Sequence, residues 1–428
     1  MLVLYHLGIA KKKDREYNFR MVKNRNSKLR VPYALAAHGD EEKKRVVKVL
    51  EEHRTNMGKE TLEFEKSVAK LFGKKYGIMV NSGSSANLLA FELLNLPSGS
   101  EVITPLLTFS TTIAPISQKG LVPVFVDVEI GKYTVDIDQI EKLITPKTKA
   151  LMIPLLLGNV PDLVRLSKIA LKYKLYFIED SCDTLGATFN GKPTGAYSDI
   201  STTSFFGSHI ITAGGNGGMI MVNRADWKDK AKVLRGWGRS SALFAESENI
   251  EERFKTKLGT IPYDAKYFFV EAGYNFLPNE MGSAFGNAQL EKLPKFRKIR
   301  KLNFDYLRRF FKKYEGIFIL PKQEENVSTQ WLAFPLTIRA NAPFSRLQLV
   351  KYLEAENIQT RPIFTGNILK HPGFKHIPHR IISNGCPVTN EVTKRGFVIG
   401  CHQGLEEKHL RKLEEIFVSF LNKHKYFV

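Results

Sequence analysis

The alternation of short apolar runs with longer amphipathic runs between residues 76 and 180 constrains the fold most. Buried strands are predicted at residues 76–80, 101–104, 122–126, 149–154 and 176–179, with helices at 86–94, after 108, at 137–143 and at 162–173. Strands and helices that alternate at this spacing predict a mostly parallel sheet with helices on both faces. The predicted fold class is therefore α/β.

The pattern differs on both sides of this core. Before it, helices are predicted at 41–53, with Asp40 as N-cap and an apolar side formed by Val46, Val47, Val49 and Leu50, and at 60–72. After about residue 317, strands at 330–339 and 358–362 and helices at 345–356 and 406–421 indicate a smaller α+β unit. A length of 428 residues favours two domains. We predict a basic extension at 1–30, a large ligand-binding α/β domain at 31–294 and a small domain at 295–428.

The net charge of +21 raises the question of a nucleic-acid partner. The basic residues are spread along the chain, with one dense block at 11–30, and a clustered basic face is missing. We therefore predict no nucleic-acid role, while a positive field suits an acidic small substrate such as a nucleotide diphosphate. No apolar run is long enough for a membrane span, and basic residues follow the apolar residues 1–10 instead of preceding them, so a cytoplasmic protein is predicted.

Three segments fall at the carboxyl ends of predicted strands, where parallel sheets bind ligands. Ser82, Gly83 and Ser84 open a helix and offer free N–H groups for a phosphate, although such residues often serve only the turn. Asp180 ends an apolar strand and is either a cap or a partner for a ligand cation such as a protonated pyridine nitrogen. Ser204 is a second candidate phosphate ligand.

The third segment, residues 204–218, carries His209 ahead of a glycine cluster. Glycine permits positive φ and close contact between backbone and ligand. A lone histidine among small and β-branched residues is more often packed or capped than catalytic. Its place among several candidate ligand groups favours the catalytic alternative.

Taken in order along the chain, these motifs resemble the DegT/DnrJ/EryC1/StrS family of pyridoxal-phosphate-dependent sugar aminotransferases, which act on nucleotide-linked keto sugars. The matching segments are residues 55–58, 81–87, 105–112, 179–183, 204–205 and 273–275. The resemblance implies a type I, aspartate aminotransferase-like fold and a homodimer whose active sites are shared between subunits.

The resemblance also implies roles for individual residues. Backbone groups of Gly83 and Ser84 and the Ser204 hydroxyl would hold the cofactor phosphate. Phe109 would stack on the ring. Asp180 would keep the ring nitrogen protonated, so that the ring can accept electrons.

Further assignments extend the site beyond one subunit. Asn275 would reach the phosphate of the partner subunit's cofactor, and Asp183 takes the place of a glutamine in the cofactor-binding set. Arg235, Arg239 and Arg361 are either solvated charges or substrate-side groups, because the guanidinium fork suits diphosphate and carboxylate.

One departure from the family pattern determines the predicted reaction. His209 occupies the position of the lysine that links covalently to the cofactor, and residues 204–218 contain no lysine. Together with Asp183 and residues 187–190, 236–237, 290–297 and 361–367, this resembles the sugar 3-dehydratase branch, in particular the enzymes that use a GDP-linked 4-keto-6-deoxymannose. The loop is about one residue longer than in that branch, with Asn216 where glutamate is usual.

Histidine cannot form the covalent link, but an imidazole that titrates near neutrality suits a general base. The hypothesis is a pyridoxamine-phosphate-dependent removal of the C3 hydroxyl, followed by release of ammonia and of the cofactor as pyridoxal phosphate. L-glutamate would restore the amine, and the product would serve the synthesis of dideoxysugars for lipopolysaccharide.

Three alternatives remain open. A CDP-sugar 3-dehydratase of this branch carries an iron–sulfur cluster, which needs about four cysteines. Here only Cys182, Cys386 and Cys401 occur, widely spaced, which predicts neither a disulfide framework nor a metal site. The others are an aminotransferase that uses another lysine and a catalytically inactive, cofactor-binding regulator.

Overall fold

The computed structural model describes residues 29–244, 248–424 and 426, so nearly all of the predicted extension at 1–30 lies outside the described residues. The first half of the large sheet and its helices follow the predicted alternation. The elements are α1 (Asp40–Glu51), α2 (Lys59–Leu71), β1 (Tyr76–Val80), α3 (Gly83–Leu94), β2 (Glu101–Pro105), α4 (Ser110–Gln118), β3 (Val122–Val126), β4 (Thr148–Pro154), α5 (Leu163–Tyr173) and β5 (Tyr176–Asp180).

The chain then adds two more strands to the large sheet and enters a long helix. These elements are β6 (Thr188–Phe189), β7 (Lys192–Pro193), β8 (Ile200–Ser204), β9 (Gly218–Val222), α6 (Ala225–Arg235), α7 (Ile250–Arg253), β10 (Lys257–Leu258), β11 (Ile261–Pro262) and α8 (Glu280–Lys312). The C-terminal part contains β12 (Phe318–Ile319), β13 (Val327–Ser328), β14 (Phe334–Ile338), α9 (Arg346–Ala355), β15 (Thr360–Pro362), β16 (Arg380–Ile381), α10 (Pro387–Arg395), β17 (Gly396–Ile399) and α11 (Glu407–Lys423).

The large sheet has eight strands in the order β1-β9-β8-β5-β4-β2-β3-β16. All neighbouring pairs are parallel except β1–β9 and β9–β8, because β9 runs against both neighbours. The predicted mostly parallel sheet is confirmed. A second, four-stranded antiparallel sheet, β12-β14-β17-β15, belongs to the C-terminal part.

Two hydrophobic cores correspond to these sheets. One packs α3, α5 and α6 against the large sheet, and the other packs the C-terminal half of α8, α9 and α11 against the small sheet. The predicted domain boundary at 294/295 falls inside α8, which passes Pro294 without a break. In the described ranges, no helix combines the length and apolarity required to cross a bilayer.

Two local predictions were wrong. Residues 137–143 form two 3₁₀ turns, the first capped by the Asp136 side chain, instead of a helix. The backbone is already extended at Ile144, and Pro146 disfavours helical backbone at the residue before it. The N-cap of α1 is Gly39 and not Asp40, because Glu42 reaches back to the Gly39 N–H at 2.8 Å.

The apolar side predicted for α1 is buried only in part. Val49 is buried, whereas Val47 and Leu50 are 49% and 47% exposed. The inner face of α1 packs on α8, where the buried carboxylate of Glu42 meets Gln289 and Lys292.

Candidate active site

A cavity of about 620 Å³ opens at the carboxyl ends of β5 and β8, beside the start of α3. It brings together eight of the predicted residues: Gly83, Ser84, Phe109, Asp180, Asp183, Ser204, His209 and Arg361. Arg235, Arg239 and Asn275 do not line it. The sequence did not identify Tyr33, Leu157, Leu332 and His371, which also line the cavity and come from distant parts of the chain.

The N-terminus of α3 forms one end of the cavity. Ser82 caps the helix by accepting from the Ser85 N–H at 3.1 Å, and Ser84 is exposed. A Cβ at Gly83 would lie 2.7 Å from the Ser204 Cβ and 2.9 Å from the Cys182 Sγ, so only glycine fits there. Backbone N–H groups at a positive helix end beside a serine hydroxyl form a seat for an anion such as phosphate.

Asp180 lies on the cavity floor at the end of β5. Its carboxylate accepts from the Asn87 amide at 3.0 Å, the Thr112 hydroxyl at 2.8 Å and the Cys182 N–H at 3.2 Å. It is 5% exposed and forms no ion pair with the residues that the structure describes. A buried carboxylate is costly without a cation, so this position suits the protonated nitrogen of a bound ring.

Asp183 is the second buried carboxyl of the cavity. It accepts from the Leu157 N–H at 2.9 Å. Burial raises its pKa to about 7, and the nearby charge of Asp180 acts in the same direction. Near neutral pH, Asp183 can therefore accept or donate a proton, which the glutamine expected from the family pattern could not do.

His209 lies in the loop between β8 and β9, with its Nδ1 3.3 Å from the Ser204 carbonyl oxygen. Because a carbonyl only accepts, Nδ1 carries the hydrogen, and Nε2 keeps its lone pair. Burial lowers the pKa of His209 to about 4, against a smaller opposing effect of the Ser204 contact. The imidazole is thus neutral at physiological pH, with a free nitrogen that can accept a proton, but its pKa lies below the near-neutral value expected from the sequence.

Short backbone hydrogen bonds fix the shape of this loop. The Phe205 N–H donates to Gly217 at 2.9 Å, the Gly207 N–H to Gly215 at 3.0 Å, and the Ala213 N–H to Phe205 at 3.1 Å. A Cβ at Gly218 would lie 2.2 Å from the Ser82 carbonyl carbon, so the loop returns directly against the turn before α3. The histidine and the anion seat are therefore parts of one packed unit.

Aromatic and basic side chains form the rim. Phe109 is 51% exposed and meets Phe364 edge to face, with ring centroids 6.2 Å apart. Arg361 lines the cavity, and its guanidinium lies 5.8 Å from the ring centroid of Tyr33. Phe109 is accessible for stacking, and Arg361 is placed to meet an anionic ligand.

Arg235, expected as either a solvated charge or a substrate-side group, lies outside the cavity. Its buried guanidinium donates to Glu65 and to the Met79 carbonyl, both at 2.6 Å, and so ties α6 to α2 and β1. Arg239 also lies outside the cavity, 4.3 Å from the ring centroid of Trp237. The sequence signal, an arginine near glycine and tryptophan, does not distinguish an inward-pointing ion pair from a ligand contact.

Asn275 lies apart from the cavity of its own subunit. It forms a backbone bridge with Gly236, and its carbonyl accepts from the Asn81 amide at 3.5 Å. A contribution to a partner's site, as the resemblance implies, is compatible with this placement.

The mostly parallel eight-stranded sheet, the smaller C-terminal sheet and the cavity beside the start of α3 define an α/β protein of the pyridoxal-phosphate-dependent aminotransferase fold. The chain belongs to the DegT/DnrJ/EryC1/StrS aminotransferase family, whose model matches residues 36–417. The predicted fold and family are confirmed.

Individual relatives are similar over most of the chain. The lipopolysaccharide biosynthesis protein RfbH of Salmonella typhimurium is 38% identical over 83% of this chain and 84% of its own. The dTDP-4-dehydro-2,6-dideoxy-D-glucose 3-dehydratase of Saccharopolyspora spinosa is 37% identical over 87% and 82%. The solved Escherichia coli GDP-4-keto-6-deoxy-D-mannose 3-dehydratase with bound hydrated PLP superposes with a TM-score of 0.82, at 31% identity, over 91% of this chain and all of that one.

Proposed function

We propose that the protein is a pyridoxal/pyridoxamine-phosphate-dependent sugar 3-dehydratase that removes the C3 hydroxyl of a nucleotide-linked 4-keto-6-deoxy sugar. One observation carries this proposal: a neutral histidine lies in the cavity at the position where the family pattern has a lysine. Among the described residues, no lysine lines the cavity. This absence argues against an aminotransferase that uses a substitute lysine.

The residues present fit the cofactor. The start of α3 with Ser204 would hold its phosphate, Phe109 would cover the ring, and the Asp180 carboxylate would keep the ring nitrogen protonated. When bound, the cofactor supplies an amino group for the sugar ketone and an electron sink for the bond cleavage.

The chain's own residues supply the proton transfers. His209 would accept a proton through Nε2 and return one to the departing hydroxyl, since its Nδ1 stays donated to the Ser204 carbonyl. Asp183, with its pKa near 7, is the second group that can exchange a proton inside the cavity. The presence of two groups able to exchange a proton, His209 and Asp183, argues against a regulator that binds the cofactor without catalysis.

For the substrate we propose GDP-4-keto-6-deoxy-D-mannose, with a dTDP-linked sugar as the second candidate. Two GDP-sugar enzymes, from Yersinia pseudotuberculosis and Escherichia coli, are 32% and 33% identical, and the solved Escherichia coli enzyme is matched over its whole length, which supports the first candidate. The dTDP-sugar enzyme, at 37% identity, supports the second. A solved relative carries a trapped PLP–glutamate adduct, which supports L-glutamate as the amino donor. We also propose a homodimer with shared active sites, in which Asn275 serves the partner's site.

The test is to incubate the protein with pyridoxal phosphate, L-glutamate and a panel of GDP-, dTDP- and CDP-linked 4-keto-6-deoxy sugars. The expected result is release of ammonia and of 2-oxoglutarate together with a product lighter by one oxygen atom, because hydrogen replaces the C3 hydroxyl and L-glutamate supplies the two electrons. Borohydride reduction followed by peptide mass spectrometry should find no lysine that carries the cofactor. An amino-sugar product without ammonia release, or a lysine adduct, would contradict the proposal.

A further inference from the structure

Arg300 is a buried arginine in α8 that stands behind the cavity wall. It is 1% exposed, and no carboxylate of the described residues forms an ion pair with it. Its Nε donates to the Gln403 side-chain oxygen at 2.7 Å, and its Nη1 donates to the carbonyls of Trp331 and Leu332 at 3.2 and 3.1 Å. A buried cation that is paired only with neutral acceptors is costly, and the hydrogen bonds of Arg300 lead to two different parts of the cavity.

The first direction leads to His209. Gln403 accepts from Arg300 with its oxygen and donates through Nε2 to the Ile210 carbonyl at 3.3 Å. Ile210 is the residue after His209, and its side chain is buried. Ser204 holds the imidazole itself, so Gln403 fixes the backbone on the other side of the same residue.

The second direction leads to Asp183. The Leu332 N–H donates to the Leu157 carbonyl at 2.7 Å, and the Leu157 N–H donates to the Asp183 carboxyl at 2.9 Å. Leu157 has a left-handed backbone with φ of 61°, which is unfavourable for a non-glycine residue and persists only when its surroundings hold it. The pairing with Leu332 supplies that restraint.

We propose that Arg300 and Gln403 are positioning residues that hold His209 and Asp183 in place at the cavity, an inference that rests on the proposed dehydration. Arg300 acts through Gln403 and Ile210 on the base, and through Leu332 and Leu157 on the carboxyl. Neither residue lines the cavity. Their effect therefore falls on the turnover step and not on ligand affinity.

Gln403→Glu separates the two contacts of Gln403, because a carboxylate still accepts from Arg300 but cannot donate to Ile210. We expect kcat to fall on the order of 10- to 100-fold, as for small misplacements of a catalytic group, with KM changed less than about threefold. In the cofactor-free protein labelled with ¹⁵N-histidine, the ring-nitrogen signals of His209, assigned by their loss in His209→Asn, should shift.

Gln323→Glu is the matched control. Gln323 also accepts from a side-chain N–H, that of Trp331 at 3.0 Å, and donates to a carbonyl, that of Val327 at 2.9 Å. It should leave kcat and the His209 signals unchanged. Arg300→Lys keeps the charge but cannot span the three acceptors, so it should lower kcat at least as far as Gln403→Glu.

If Gln403→Glu keeps the wild-type kcat and the wild-type His209 signals, the proposal is overturned. This holds also when the variant has a lower melting temperature, because Gln403 would then contribute only to stability. If Arg300→Lys does not fold, Gln403→Glu decides alone. The NMR readout needs neither substrate nor cofactor. A shifted His209 signal in a protein that does not dehydrate would support the positioning and contradict the proposed function.

Discussion

At His209, burial and not a charged neighbour is the main determinant of the protonation state. The folded pKa of about 4 lies below the ordinary value of 6.5 for histidine. The neutral form is therefore favoured in the folded protein, and the unfolded chain binds a proton first as the pH falls. His209 leaves stability unaffected above about pH 6.5 and lowers it as the pH falls from 6.5 towards 4.

The loss of stability at acid pH that His209 causes can be measured in the cofactor-free protein. His209→Gln should lose less of its unfolding free energy than the wild type between pH 7.5 and pH 5, by on the order of 2 kcal/mol. His402 is also buried, with a pKa lowered to about 4, so part of the acid sensitivity remains in the variant. Denaturant unfolding at the two pH values measures the difference.

His376→Gln is the control for this comparison, because His376 is exposed. It should follow the wild type at both pH values. An identical pH response of His209→Gln and the wild type would show that His209 is not held neutral by the fold.

The predicted residues that the structure places at the cavity share a local signature. Gly83, Asp180 and Ser204 each stand at a strand end, where the strand pattern itself places them at the cavity. Tyr33, Arg300 and Gln403 carry no such signature, because their roles depend on contacts between segments far apart in the chain. Arg235 is the opposite case. Its local sequence suggested a ligand contact, but its side chain forms a buried ion pair with Glu65.

At the scale of elements, the long helix α8 connects the N-terminal helices α1 and α2 with the core of the C-terminal part. Its first turns pack on α1 and α2, and its C-terminal half enters the second core. Glu280, its first residue, accepts from the N–H groups of Gly58, Glu60 and Thr61 at 2.7, 2.6 and 3.2 Å, and from the Thr61 hydroxyl at 2.7 Å. A buried carboxylate from one helix thus caps the N-terminus of another.

We expect Glu280→Gln to lower the free energy of unfolding by about 1–3 kcal/mol, because an amide nitrogen would face backbone donors. Glu291→Gln, on the same helix, removes a largely exposed partner of Arg45 and should cost less than about 1 kcal/mol. Denaturant midpoints of the two variants provide the comparison. Equal midpoints would contradict the capping role.

Prediction of elements succeeded where a buried strand shows as a continuous apolar run. β1 and β3 occupy the predicted residues 76–80 and 122–126. The prediction of elements failed where an element exists only through contacts with residues far away in the sequence. The two-residue strand β16 exists by pairing with β3, and α10 begins where Asp127 accepts from the N–H groups of Val388 and Thr389. Neither partner is near in sequence, so no local pattern identifies these elements.

At the scale of the whole molecule, the described residues leave much apolar surface exposed. Exposed apolar and aromatic side chains concentrate between residues 237 and 270: Trp237, Leu243, Ile250, Phe254, Leu258, Ile261, Tyr263, Tyr267, Phe269 and Val270. Phe206, beside the cavity, is 55% exposed. Surfaces of this kind favour association, and Asn275 follows this segment directly.

If Asn275 completes the partner's site, two inactive variants should complement each other. In a mixed dimer of His209→Asn and Asn275→Ala subunits, one site carries both lesions and the other carries none. Random exchange yields half mixed dimers, so activity should recover to about a quarter of the wild-type value. Subunits are exchanged by mild denaturation and dialysis, and dehydration is assayed at equal protein concentration.

The control mixture combines His209→Asn with Asp180→Asn, whose lesions lie in the same subunit's cavity. Each site of this mixed dimer contains one lesion, so no activity should return. Recovery in both mixtures, or in neither while differently tagged subunits co-purify, would contradict a shared site. Recovery in the first mixture alone requires that Asn275 of one subunit acts with His209 of the other, because no other pairing leaves a complete set of residues.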